Sequence, residues 1–241
     1  MKERQESILK AIVRYFISTA TPVGSKMVQS LEKLDVSAAT IRNEMADLEK
    51  DGFLEHPHTS SGRIPTASGY RFYVNDLTIS PRQKKTVFDE FSQARKVHYE
   101  EKIADQRVFD CISILTKITP NIAFATVPSA EQTFFFGLSN ILREPEFRSD
   151  VHFASQVVKA LEEDLHHSLE QMNITEEISL FIGPENLIEE MRLCSLIAFK
   201  YSVLRIEGII GILGPMRMPY SKNILALEAA RAFLNEKFLE S

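Results

Sequence analysis

Along the first third of the chain, apolar residues recur at helical spacing. Ile8, Leu9, Ile12, Val13 and Phe16 predict a first helix with one buried face. Pro22 disfavours helix at the residue before it and Gly24 supplies a turn, so this helix is expected to stop near Thr19. Ser25 offers an N-cap for a short second helix to about Leu34. Ser37 caps a third, running to about Lys50, with Ala38, Ile41, Met45 and Leu48 on one face and Asp51-Gly52 as its stop. Two short extended runs, Phe53–Glu55 and Arg63–Pro65, flank the turn-rich segment from His56 to Gly62. Thr66 then caps a fourth helix carrying Tyr70, Tyr73, Val74 and Leu77, and Ser80-Pro81 reads as a domain boundary.

Beyond Pro81 the pattern changes. Residues 83–118 read as helical, as do 150–172 and 220–239. Between them the pattern predicts strands at Ile122–Val127, Thr133–Phe136, Ile178–Ile182, Cys194–Tyr201 and Glu207–Leu213, the last two able to form a hairpin. Strands interleaved with helices predict an α+β fold, with residues 1–81 and 82–241 as its two domains.

Composition fits this reading. With 44% hydrophobic and 25% charged residues, the chain is neither disordered nor collagen-like. Its net charge of −5 argues against a generally basic nucleic-acid binder. The total hides an asymmetry: residues 1–85 hold 13 Lys and Arg against 10 Asp and Glu, whereas residues 86–241 hold 15 against 23. Cys111 and Cys194 are far apart, which suggests reduced core thiols in a cytoplasmic protein. The N-terminus lacks the apolar run of a signal peptide, and no apolar segment is long enough for a membrane span.

Helix, helix, Ser-capped helix, strand, loop, strand is the order of a winged helix-turn-helix, in which the third helix enters the major groove of double-stranded DNA. Asn43 can bond adenine in bidentate fashion, Arg42 can reach guanine or phosphate, and Thr40 offers a methyl to thymine. The Ser37 end, with Ala39 beside it, brings unpaired backbone N–H groups and the positive dipole end toward phosphate. Ser25 and Lys26 at the second helix, and His58, Thr59, Ser60, Ser61 and Arg63 in the wing, complete the candidate DNA contacts. Counted by composition, the third helix is net acidic, since Glu44, Asp47 and Glu49 oppose Arg42 and Lys50. It is therefore expected to dock by its Ser37 end rather than broadside.

These same residues carry a family resemblance. The run from Ser37 to Glu49, the run from His56 to Thr66, Gly69 to Val74 and Pro22 to Ser25 resemble the DNA-binding region of the bacterial heat-inducible transcription repressors, the HrcA family. Similar segments follow in order at Gly137–Leu142, Pro145–Phe147, Ile182–Asn186, Cys194–Ile197 and Gly208–Met218. The resemblance implies a GAF-like second domain and repression of chaperone operons by a homodimer on an inverted-repeat operator. It also implies activity maintained by a GroE-type chaperonin, and a nucleoid-associated location in the cytoplasm. Family members carry a dimerising insertion ahead of the Gly-Leu-Ser-Asn segment. Here only Pro128 to Gln132 separates Val127 from Thr133, so the insertion is missing or reduced to a turn.

Other features support blander readings. His56 and His58 lack a third ligand for a metal, His166-His167 reads as solvated surface, and Phe134-Phe135-Phe136 as core. Gly208, Gly211 and Gly214 lack the order of a nucleotide loop and fit close strand packing. No nucleophile, base and acid come together, so neither catalysis nor a cofactor is expected. The alternative function is a ligand-sensing winged-helix regulator whose α+β domain binds a small molecule.

Overall fold

The computed structural model describes residues 1–32, 36–57, 62–96, 104–127, 132–203 and 206–235. The chain divides into two compact units, Met1–Thr78 and Ile79–Ser241, and the fold is α+β.

In the first unit, α1 (Glu3–Thr19) buries Ile8, Leu9, Ala11, Ile12 and Val13. It stops where Ala20 turns left-handed at φ 52° and returns its N–H to the Phe16 carbonyl, just ahead of Pro22. The second helix, α2, spans Ser25–Glu32. Its cap is Gly24 rather than Ser25, because the Gly24 carbonyl accepts from Met27 and Val28 and Ser25 already lies in the first turn. Helix α3 (Ala38–Lys50) follows, then strands β1 (Leu54–Glu55) and β2 (Ile64–Pro65), which pair antiparallel, and α4 (Ala67–Asn75). Thr66 caps α4 by accepting the Gly69 N–H at 3.2 Å. Ile8, Leu9 and Ile12 share the core with Val28, Ile41, Leu48, Leu54 and Tyr70, all buried.

The second unit opens with α5 (Pro81–Lys96), in which Pro81 takes the first helical position, where its missing N–H costs nothing. The stretch 83–118 expected to be helical carries α5 and α6 (Ala104–Ile118), with 97–103 outside the described residues. Strands β3 (Ile122–Val127) and β4 (Gln132–Phe136) are followed by two short helices, α7 (Leu138–Ile141) and α8 (Pro145–Ser149). The expected helix over 150–172 is interrupted at Asp164, giving α9 (Val151–Glu163) and α10 (Leu165–Gln171). Strands β5 (Ser179–Ile182), β6 (Cys194–Val203) and β7 (Ile206–Pro215) and helix α11 (Tyr220–Asn235) complete it.

The five strands form one antiparallel sheet in the order β4-β3-β7-β6-β5, with β6 and β7 as the expected hairpin pair. Helices α5, α6 and α11 pack together, with α6 and α11 against the sheet. Ile122, Phe124, Leu196, Ala198 and Leu213 join Phe147, Val157, Leu161, Leu165 and Leu169 of α8–α10 in a second core cluster. Cover on both faces explains why β3 is buried along its whole length and why β6 and β7 read as apolar runs rather than alternating patterns. The β7 glycines do serve close packing: a Cβ on Gly211 would stand 2.6 Å from the Ile197 carbonyl oxygen. Cys111 and Cys194 are free and buried; burial pushes both thiols up, that of Cys194 to about 12. Among the described residues no helix is long and apolar enough to cross a membrane.

Candidate nucleic-acid interface

The interface begins with the way α3 is held. Ser37, in extended conformation, accepts the Thr40 N–H at 3.1 Å, and the two hydroxyls lie 3.0 Å apart. The cap therefore fixes Ser37 and half-buried Thr40 to each other at the start of the helix. From α2, Gln29 donates to the Val36 carbonyl at 2.8 Å. Ile41, Met45 and Leu48 face inward, while Ser37, Ala39, Arg42, Asn43, Ala46, Asp47 and Lys50 are exposed. Residues 39, 42, 43, 46 and 50 share one face at helical spacing. Lys26, in the first turn of α2, is exposed as well, whereas Ser25 is buried and does not present its side chain to solvent.

The acids of α3 do not face outward as composition suggested. Glu44 is only 6% exposed and belongs to the core side of the helix. The Arg4 Nε of α1 donates to its Oε1 at 3.1 Å, and a second guanidinium nitrogen pairs with the same oxygen. These Arg4 hydrogen bonds hold the Glu44 carboxyl below the usual carboxylate range, against desolvation that pushes it up. Glu49 is half-buried and pairs with Arg63 at 2.8 Å. Only Asp47 remains as an exposed carboxylate on α3, against Arg42 and Lys50. The expectation of a net acidic surface on this helix is corrected: two of its three acids are answered by cations from other elements.

The segment around β2 is equally constrained. Val23 and Arg63 form an antiparallel bridge, each N–H bonding the other's carbonyl at 2.9 Å. Gly62 lies so close to this bridge that a Cβ would stand 2.6 Å from the Val23 backbone nitrogen. Arg63 reaches from there to Glu49 and touches His56 Nε2, so its guanidinium faces the protein. Of the other wing residues expected at DNA, His58, Thr59, Ser60 and Ser61 lie outside the described residues. So does the connection 128–131, where the dimerising insertion is missing or reduced.

The structure brings together Ala39, Thr40, Arg42 and Asn43 behind the Ser37 cap and separates Ser25 and the Arg63 guanidinium from them. Sequence reading missed Arg4, the counter-ion of Glu44, because 40 residues separate the pair and no local spacing marks it. It also missed a cavity of about 900 Å³ in the second unit, lined by His166, Lys200, Tyr201, Glu207 and Arg231 among others. His166, expected on solvated surface, lies 3.1 Å from the Thr133 hydroxyl and is partly buried. Phe134 packs edge-on against Phe109, as a core residue should, but Phe136 is 43% exposed. No group of three or more metal-ligating side chains exists among the described residues.

Residues 83–224 match the family model described as the HrcA protein C terminal domain. The chain is 43% identical over 145 residues to the heat-inducible transcription repressor HrcA of Chloroflexus aurantiacus, covering 58% of this chain but only 37% of that relative. It thus spans little more than a third of that relative in the match. The HrcA repressor of Carboxydothermus hydrogenoformans is 28% identical over 338 aligned positions, covering 97% of both chains. Since 338 positions exceed the 241 residues here, at least 97 of them face no residue of this chain. A crystal structure described as that of a hypothetical protein shares the fold, with TM-score 0.76 at 17% identity over 97% of this chain and 96% of its own.

Proposed function

The chain belongs to the HrcA family of heat-inducible transcription repressors, and on that premise we propose that it represses chaperone operons by binding an inverted-repeat operator through its first unit. The observation that carries this reading is the exposed face of α3, where Ala39, Arg42 and Asn43 stand clear behind a Ser37 cap with Glu44 withdrawn into an ion pair. As a winged helix-turn-helix, the unit inserts α3 into the major groove by its N-terminal end, so that Asn43 reads adenine and Arg42 reads guanine or phosphate. Residues 58–61 and Lys26 contact the backbone.

The repressor acts as a homodimer, since an inverted repeat presents two equivalent half-sites about 10 bp, or a multiple of that, apart. It occludes the promoter while bound, on the nucleoid in the cytoplasm, and a GroE-type chaperonin maintains the active form. Nothing in this assignment calls for catalysis. A gel shift with an inverted-repeat fragment from a chaperone promoter, with and without chaperonin, tests it. Binding no tighter than to an unrelated duplex of equal length refutes the assignment. An unchanged bound fraction on adding chaperonin refutes the maintenance step alone.

The cavity in the second unit favours a second reading, a regulator that senses a small molecule, because its volume falls within the range of ligand pockets. A metabolite that raises the melting temperature in a concentration-dependent way and changes operator affinity supports that reading.

A further inference from the structure

Arg63 looks like a wing arginine ready for phosphate, yet every local constraint directs it inward. Its backbone is fixed by the two 2.9 Å hydrogen bonds to Val23, and Gly62 beside it leaves no room for the strand to shift. Its guanidinium lies 2.8 Å from the Glu49 carboxylate with a second nitrogen on His56, and the side chain is only 15% exposed. An arginine held this way meets DNA as half of a neutral pair. To reach a phosphate it would exchange one anion for another and leave Glu49 uncompensated among the phosphates, which gains little.

We propose that Glu49 withholds the Arg63 charge from the phosphate backbone and so limits the sequence-blind part of the affinity on any duplex. This rests on the DNA-binding reading above. Binding to unrelated DNA is almost wholly electrostatic, so each cation withheld lowers it without touching the contacts to base edges. Glu49 acts through Arg63 and is a positioning residue, not a base contact.

The test uses full-length protein and the salt dependence of binding, on the operator fragment and on an unrelated duplex. The wild type is compared with Glu49→Gln and with the double variant Glu49→Gln/Arg63→Gln. Freed from its partner, Arg63 neutralises one phosphate, so Glu49→Gln steepens the slope of log K against log salt by about 0.9 per site. It also tightens binding to the operator fragment and to the unrelated duplex by similar factors, as a contact blind to sequence does. The double variant, one neutral pair in place of another, returns to the wild-type slope; a merely structural role for Glu49 predicts no such recovery.

An unchanged slope in Glu49→Gln overturns the proposal. So does a steepening that persists in the double variant, which would mean that Glu49 repels phosphate directly. A double variant flatter than wild type by about 0.9 also overturns it, because Arg63 would then already bind phosphate. Should Glu49→Gln not fold, Glu49→Ala, compared with Glu49→Ala/Arg63→Gln, takes its place with the same outcomes. If the wild type itself fails to prefer the operator, the DNA-reading assignment falls, and that outcome is distinct from any slope difference among the variants.

Discussion

Replacing Arg4 by methionine tests how α3 tolerates a buried acid. The Glu44 side chain is 7% exposed; one oxygen accepts from two Arg4 nitrogens, and the other has no hydrogen-bond partner among the described residues. Stripping the partner from a fully buried ion pair costs about 3–5 kcal/mol. Arg4 is itself 41% exposed, so water reaches the carboxylate once the guanidinium is gone. That screening brings the expected cost to about 2–3 kcal/mol at pH 7. For a cooperative unit the size of Met1–Thr78 this is a loss of roughly 10–20 °C in Tm, read by scanning calorimetry of the full chain.

The pH dependence identifies the cause. Because Arg4 depresses the folded-state pKa of Glu44, the stabilisation is present above the unfolded value, about 4.3, and is lost as pH falls through the folded one. The gap between wild type and Arg4→Met should therefore shrink as pH is lowered from 7 toward 3. A gap as large at pH 3 as at pH 7 refutes the electrostatic account and leaves packing of the Arg4 stem. A gap below about 0.5 kcal/mol at pH 7 refutes the claim that Glu44 depends on its partner at all.

The remaining predictions concern DNA and the wing. Asn43→Ala should cost about 1–3 kcal/mol on the operator and little on random DNA, measured by titration at fixed salt; equal losses on both exclude base reading. Gly62→Ala should break the Val23–Arg63 bridge, because the added Cβ meets backbone at 2.6 Å. Calorimetry should then show a lower Tm and gel shifts a weaker operator complex, and normal values for both disprove the tight approach. Lys26, Arg42 and Lys50 are exposed cations with no ion pair among the described residues. Three phosphates per half-site give a salt slope near −5 for a two-fold complex, and a slope shallower than about −3 means that at least one lysine does not reach the backbone.

What could be read from sequence was what is decided locally. The span of α3 follows from a Ser cap at one end and a glycine at φ 80° just past the other, both visible in a few residues. The ranges of α1, β3 and the β6–β7 pair were legible for the same reason, through spacing, strand-like apolar runs and turn chemistry. Chain breaks inside helical patterns were not. At Asp164 the helix is interrupted between α9 and α10, but buried Leu161, Leu165 and Leu169 keep an unbroken four-residue spacing across it. An interruption of one residue does not reset hydrophobic periodicity. The five-residue α8 and four-residue α7 are too short to show a period. At the interface, residue types were legible and orientation was not: whether Arg63 faces phosphate or Glu49 depends on a contact 14 positions away in sequence.

The acidity of α3 shows how a charge count can mislead about a binding surface. Taken as a string, three carboxylates against two cations forbid a broadside approach to DNA and leave only the helix end. In the folded chain each of two carboxylates meets a cation from a different element, Arg4 from α1 and Arg63 from the base of the wing. Glu44 sits on the buried side of the helix and Glu49, half-buried at the edge of the exposed face, is paired, so what the helix presents is Arg42, Asn43 and Lys50 with Asp47 as the single exposed acid. The acids are therefore tethers: they fix α3 against its neighbours at two points, one turn or more apart, while their negative charge is removed from the approaching phosphates. A helix built with alanine at both positions would carry a more basic composition and the same exposed cations. It would also release Arg4 and Arg63 to solvent, adding sequence-blind charge and loosening the geometry on which the proposed base reading by Asn43 depends. Net negative charge on this helix and selective binding to a polyanion are thus two outcomes of one arrangement, in which the protein answers its own arginines before DNA can.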